Sequence, residues 1–328
     1  MTLAICMFCG AEKFGALTSC NRCGLAPTTL LDRAKSLMLS GHNFPPDELR
    51  KFSHTITTGM KVPYDPVALA ICAEPIAEQD YYSKNITDTG RIRCMRCRKE
   101  FTSEDEHAIC GLCRCEIERE VRVCFSCPAI CDDTARLCQK CGAALSAKDA
   151  IKVKAIAQDI AFAVRRLYKK QSVIEESNFL AIIHRSLSPG DRALAEAELE
   201  QVAFYSAVLV LRKLTISNAT VLAVTFHALE IYRQSFVLQG TTPLVAEALV
   251  NRYLKRFAGY DGAFARARSE LPNSSEQWIL FVAGDAVENC YGSKRRDLGT
   301  AMDMVLFIGY FVRTLTETTV SLLRKHAA

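Results

Sequence analysis

The sequence predicts a multi-domain chain in which small cysteine-built ribbons with little regular β structure precede an all-α helical bundle. Three observations predict it. Six Cys-x-x-Cys doublets take up twelve of the sixteen cysteines, and all six lie before residue 142. Fifteen cysteines fall within residues 1–141, and only Cys290 lies beyond them. From residue 146 onward long apolar-periodic segments take over, with no glycine-rich strand-turn-helix unit among them.

Four regions follow in order. Residues 1–25 form a small ribbon around two doublets, Cys6/Cys9 and Cys20/Cys23. Residues 26–80 read as a short helical segment. Leu30, Leu31, Ala34, Leu37 and Met38 make one apolar pattern, and Leu49, Phe52 and Ile56 share a face behind Pro46-Asp47-Glu48. Asp65-Pro66 is an N-cap followed by proline at the first helical position, and Pro75 is expected to limit that third helix. Tyr82-Ser83-Lys84-Asn85 reads as a linker. Residues 81–145 carry the remaining doublets, Cys94/Cys97, Cys110/Cys113, Cys124/Cys127 and Cys138/Cys141. Residues 146–328 are the all-α domain. Its helices are expected from Ser146 to about Lys170, from Ser188-Pro189 through Tyr205, over 218–238, from Thr242-Pro243, from Asn273 or Ser274 past Trp278, and over about 297–325. Phe204 to Leu211 is nearly continuous apolar sequence, as in a central or interface helix.

Composition narrows the partners. The formal charge of +5 treats cysteine as neutral. A divalent ion held by four thiolates carries −4 + 2 = −2, three such sites carry −6, and +5 − 6 = −1. The basic balance is thus no argument for nucleic acid. The most apolar stretch, 301–323, contains Asp303, Arg313 and Glu317, which are costly in lipid, so no membrane contact is expected. The opening MTLAICMFCG lacks the basic start and long apolar run of a secretory signal. A reducing compartment, most simply the cytoplasm, is the expectation.

The doublets themselves point to metal. Two residues between cysteines let one tight turn present both sulfurs to one ion, and zinc takes four thiolates tetrahedrally at roughly 2.3 Å. Gly10, Gly24 and Gly142 follow second cysteines and ease that turn, whereas Arg98, Arg114 and Pro128 stand at the corresponding places of the other doublets. Ten residues separate Cys9 from Cys20, twelve Cys97 from Cys110, and ten Cys127 from Cys138. The expected ligands are Cys6, Cys9, Cys20, Cys23, Cys94, Cys97, Cys110, Cys113, Cys124, Cys127, Cys138 and Cys141, for three structural zinc ions. Spacing permits sequential or interleaved pairing over 94–141, and a complete ribbon in each half favours sequential. Cys115 and Cys131 are extra thiols that could replace a neighbour. His107 could also be a ligand, although a loop histidine is the plainer reading. Iron–sulfur spacings differ from these evenly placed doublets, and a thioredoxin-type doublet would open a helix after a strand.

On these residues the chain resembles zinc-ribbon proteins. Residues 6–24, CMFCG to CNRCG, look like one zinc ribbon. Residues 94–142, closing on Leu-Cys-Gln-Lys-Cys-Gly-Ala-Ala-Leu, look like a double zinc ribbon. The first 80 residues resemble the start of uncharacterised bacterial zinc-ribbon domain-containing proteins. The likeness covers about a quarter of the chain and stops before the helical half. It implies structural zinc and a binding role toward protein or nucleic acid, and implies no activity.

No catalytic residues are proposed, since no His-Glu-x-x-His or His-x-Glu motif occurs and four thiolates leave a zinc no open position. Arg91, Arg93, Arg96, Arg98 and Lys99 cluster and could contact phosphate, or simply offset a nearby zinc–thiolate charge. Arg165, Arg166, Lys169 and Lys170, and the acids Glu196, Glu198 and Glu200, read as solvated, as does Lys294-Arg295-Arg296. His227 and Glu230 lie one helical turn apart and read as structural. The expected function is a non-enzymatic zinc-binding adaptor that meets a protein partner or a second copy through its helical domain. The alternatives are a nucleic-acid-binding ribbon protein and an enzyme with an unrecognised site in the helices.

Overall fold

The computed structural model describes residues 2–103, 106–173, 189–215 and 217–270, with a few helical positions between 314 and 321. Among them are eight α-helices and seven short strands. The helix expected past Trp278, most of the one over 297–325, Lys294-Arg295-Arg296 and Cys290 lie outside the described residues. The described residues form two compact units. One is Met1–Glu116 with Glu230–Glu247, the other Ile117–Leu229 with the described residues from Ala248 onward.

In the first unit β1 (Leu3–Ile5) and β2 (Glu12–Phe14) pair antiparallel, with Ala4 opposite Lys13. Helices α1 (Leu30–Met38) and α2 (Pro46–Thr57) back this hairpin. Thr29 caps α1 by accepting from the Asp32 N–H, and Pro46 opens α2 at a position where no N–H is needed. Strand alternation turns Ile5 inward, where it meets Leu39 and Leu49, with Phe52 and Ile56 packed beside them. Each of the three buried side chains contributes roughly 1.5–3 kcal/mol. Lys13 is buried too, and its Nζ donates to the Ala16 and Thr18 carbonyls at 2.8 and 2.7 Å. The charge is therefore hydrogen-bonded, and it braces the turn that leads to Cys20.

Helix α3 (Pro66–Asn85) begins on Asp65, whose side chain accepts from Val67 and Ala68. It does not stop at Pro75, and the expected linker Tyr82–Asn85 is its last turn. Pro75 is exposed, so the carbonyl that loses its intrahelical partner faces water. Ala34 of α1 packs on Leu69 and Ala73, and Arg33 binds both oxygens of Asp80 at 2.7 and 2.9 Å beyond the proline. Packing on both sides of Pro75 keeps the helix whole. The chain then forms β3 (Arg91–Arg93) and β4 (Glu100–Thr102), an antiparallel hairpin with Ile92 opposite Phe101, followed by α4 (Gly111–Glu118).

In the second unit β5 (Glu120–Val123) is the central strand, flanked antiparallel by β6 (Ile130–Asp132) and β7 (Ala150–Lys152). The helix expected from Ser146 therefore starts later, as α5 (Val153–Val173). Ser146 instead accepts from the Lys148 N–H in a short 3-10 turn. Residues 150–152 extend because the open edge of β5 needs partners for its backbone groups. Ile151 is buried while Lys152 reaches Glu118 at 2.5 Å.

Helices α6 (Pro189–Leu214), α7 (Asn218–Leu238) and α8 (Pro243–Glu270) follow. Every residue from Gln201 to Leu211 is buried, so the apolar run lies in a core. Phe204 stacks on Phe257 at 5.7 Å and Tyr205 meets Tyr260 at 5.1 Å. Two of the acids expected in solvent are held inside. Glu198 is 1% exposed, receives the Tyr260 hydroxyl and pairs with Arg256 at 3.2 Å. Glu200 pairs with Arg165 at 2.9 Å, so Arg165 is not simply solvated. Burial of a carboxylate is tolerable only with such partners. Among the described residues no helix is long and apolar enough to cross a membrane. Most of 301–323 lies outside them.

Candidate metal centres

Five doublets sit on a tight turn that leaves a strand or loop and returns, whereas Cys110/Cys113 opens α4, with Cys113 on the helix and the Arg114 N–H donating to the Cys110 carbonyl. In the first, Cys6 N–H donates to Ala11 and Gly10 N–H donates back to Cys6. Gly10 has φ of 74°, and a Cβ there would lie 2.7 Å from the Ser53 carbonyl oxygen of α2. Only glycine satisfies both constraints. The same backbone pattern recurs at Cys20/Gly24, Cys94/Arg98 and Cys138/Gly142.

The turns converge in sequential pairs. Cys6, Cys9, Cys20 and Cys23 form one quartet, Cys94, Cys97, Cys110 and Cys113 a second, and Cys124, Cys127, Cys138 and Cys141 a third. Within each, all four Sγ atoms lie within 4.8 Å of one another. Cys6–Cys23 and Cys9–Cys20 are 3.7 and 3.6 Å apart, and Cys97–Cys110 is 3.7 Å. Cys124–Cys141 and Cys127–Cys138 are both 3.5 Å. Tetrahedral bonds of about 2.3 Å place sulfurs about 3.8 Å apart, whereas a disulfide needs about 2.05 Å. A multi-iron cluster interposes its own atoms and would spread the thiolates further. Each quartet could therefore hold a single metal ion, and the distances fit zinc.

Electrostatics within the quartets follow one pattern. Backbone N–H donation, chiefly from Cys23, brings Cys20 down to about 6. Burial pushes the Cys94 and Cys138 thiols up, but backbone donors outweigh it and leave them at about 7 and about 6. Those donors are Cys110, Cys97 and Arg96 for Cys94, and Cys141 and Lys140 for Cys138. Burial and neighbouring thiols push Cys9 and Cys127 up to about 12 and raise Cys113. One sulfur per quartet thus ionises first and its charge keeps others protonated. A dication at the centre reverses that preference and releases protons on binding.

The remaining candidates fall elsewhere. His107 is not in a quartet; its Nδ1 lies 3.5 Å from Glu78 of α3. Cys131 is buried in the small core of the third ribbon with Cys124, Ala129, Cys138 and Leu145, while Cys115 is exposed on α4. Glu230 binds Arg233 through two hydrogen bonds, and His227 is buried. Of the basic cluster, Arg91, Arg93, Arg98 and Lys99 are exposed. Arg96 turns back to the Cys113 carbonyl at 3.3 Å and to Glu116 at 3.6 Å, closing its own ribbon. Sequence reading missed the cleft beside Arg91, whose walls include Tyr81 and Asn85. Its signal, helix continuing to Asn85, was masked by Pro75. No protein family, curated protein or solved structure gives a match to this chain.

Proposed function

We propose that the chain is a non-enzymatic adaptor of a reducing, cytoplasmic environment, in which one structural zinc per quartet fixes loops that a protein partner or a second copy recognises. The observation that carries the metal half of this reading is the 3.5–3.7 Å sulfur spacing repeated in three sequential quartets. The ligand set Cys6, Cys9, Cys20, Cys23, Cys94, Cys97, Cys110, Cys113, Cys124, Cys127, Cys138 and Cys141 leaves each zinc coordinatively closed, which suits structure and not Lewis-acid chemistry.

The adaptor half is supported by what the turns display. Phe8, Leu112 and Phe125 each lie between the two cysteines of a doublet, and they are 41%, 78% and 63% exposed. Large apolar groups held in water by a rigid turn or, for Leu112, by the start of α4 lose little conformational freedom on docking. Elemental analysis of anaerobically purified protein is expected to give three zinc ions per chain, and fewer than one would overturn the metal reading. Capture of proteins from lysate on the wild type and on Phe8→Ser/Leu112→Ser/Phe125→Ser tests the other half. The variant is expected to keep its zinc and lose the bound proteins. Identical capture by both would remove the turns from the interface.

A further inference from the structure

A cleft of about 310 Å³ opens between the last turn of α3 and the β3–β4 hairpin. Tyr81 and Asn85 line it from the helix, Thr89 from the connecting turn, and Arg91 and Arg93 from β3. The strand period of two sends both arginines to one face while Ile92, between them, is buried. Glu100 on β4 holds Arg93 across the hairpin at 3.3 Å. No hydrogen bond or ion pair among the described residues engages the Arg91 guanidinium. Arg98 and Lys99, exposed where the hairpin turns, extend the positive rim beyond the cleft.

We propose that this cleft seats one base of a single-stranded nucleic acid against Tyr81, with Arg91, Arg93, Arg98 and Lys99 on the flanking phosphates. The cleft has two electrical ends. Its hairpin side is cationic and suits phosphate. Its helix side is a C-terminus, which repels an anion but accepts from amino groups such as those on a base edge. Asn85 already donates to the Tyr81 carbonyl at 2.8 Å, which leaves its own Oδ1 as an acceptor there. A base stacked on tyrosine needs no particular sequence. A duplex keeps its bases inside the stack and cannot fill the cleft.

The hairpin belongs to the second ribbon, so metal content is measured on the same sample to separate failure of the cleft from failure of the metal reading. Fluorescence anisotropy of the full-length protein, with a labelled RNA about 12 nucleotides long and the same strand in duplex, reads the binding. Titrations at about 50 and about 200 mM KCl read its salt dependence. The single strand is expected to bind at least about tenfold tighter than the duplex. Tyr81→Ala should weaken it about tenfold. Arg91→Ala should lower the salt slope by about one. Should Tyr81→Ala lose zinc, Thr89→Glu replaces it, since an acid on this exposed turn must weaken binding about tenfold with three zinc ions retained. Equal binding of duplex and single strand overturns the proposal, as does full affinity in the usable variant. Zinc-loaded protein that fails to bind at low salt overturns the cleft alone. Zinc-free protein that binds in a Tyr81-dependent way upholds the cleft and overturns the metal reading, and zinc-free protein that does not bind overturns both.

Discussion

Arg98 occupies the place that Gly10, Gly24 and Gly142 fill in other turns, with φ of 62° against their 74°, 72° and 76°. A side chain in that left-handed region costs roughly 1–2 kcal/mol, which glycine avoids at some expense in unfolded-state entropy. Arg98→Gly is therefore expected to stabilise the second ribbon by about 0.5–1 kcal/mol. Slower zinc transfer to a chelator from this variant checks it, and faster transfer would refute the strain. A second residue carries a pH dependence. Burial pushes the Asp261 carboxyl up, but Arg212 and the Tyr205 hydroxyl outweigh it and hold it below the usual carboxylate range. A depressed carboxyl stabilises the fold above its unfolded value near 3.9, and that contribution fades as pH falls through the lower folded value. Asp261→Asn should accordingly speed hydrogen exchange in α6 and α8 at pH about 7, by a margin that is smaller at pH about 3. A gap of equal size at both pH values would contradict the assignment.

At the scale of elements, what the sequence made legible was local. Asp65 and Pro243 open helices because capping and the proline position act within one turn. The quartets were legible for the same reason, since a doublet and its turn are a short-range device. Two elements escaped because distant partners decide them. Residues 150–152 have helix-compatible sequence and become β7 only because β5 offers an edge. Helix α3 survives Pro75 because α1 packs on it before and after the break. An interior proline costs up to about 3 kcal/mol, and Pro75→Ala restores the missing N–H on an exposed face. The variant is expected to gain about 1–3 kcal/mol, seen as slower hydrogen exchange through residues 71–80. Unchanged exchange would mean that packing alone sets the stability of this helix.

Across the whole molecule the three ribbons differ in what supports them besides sulfur. The first rests on Ile5, Leu39 and Leu49, a core with no cysteine in it. The third shares β5 with β7, which leads directly into α5. The second has a core made of Cys94, Cys110 and Cys113 themselves, with Phe101 and Ile109 beside them. That Glu230–Glu247 joins Met1–Glu116 in one unit depends on contacts between remote parts of the chain, which no local spacing encodes. Structural zinc in small peptides contributes on the order of 10–16 kcal/mol, more than cores this small can replace. Chelation at neutral pH should therefore raise hydrogen exchange most over residues 91–102, less over 120–132, and least over 3–14. The aromatic contacts of Phe204, Tyr205, Phe257 and Tyr260 involve no quartet, so exchange in α6 and α8 should change little. Uniform exposure of all three ribbons would show that their apolar surroundings add nothing, and simultaneous loss of α6 and α8 would show that the metal centres hold the helices as well.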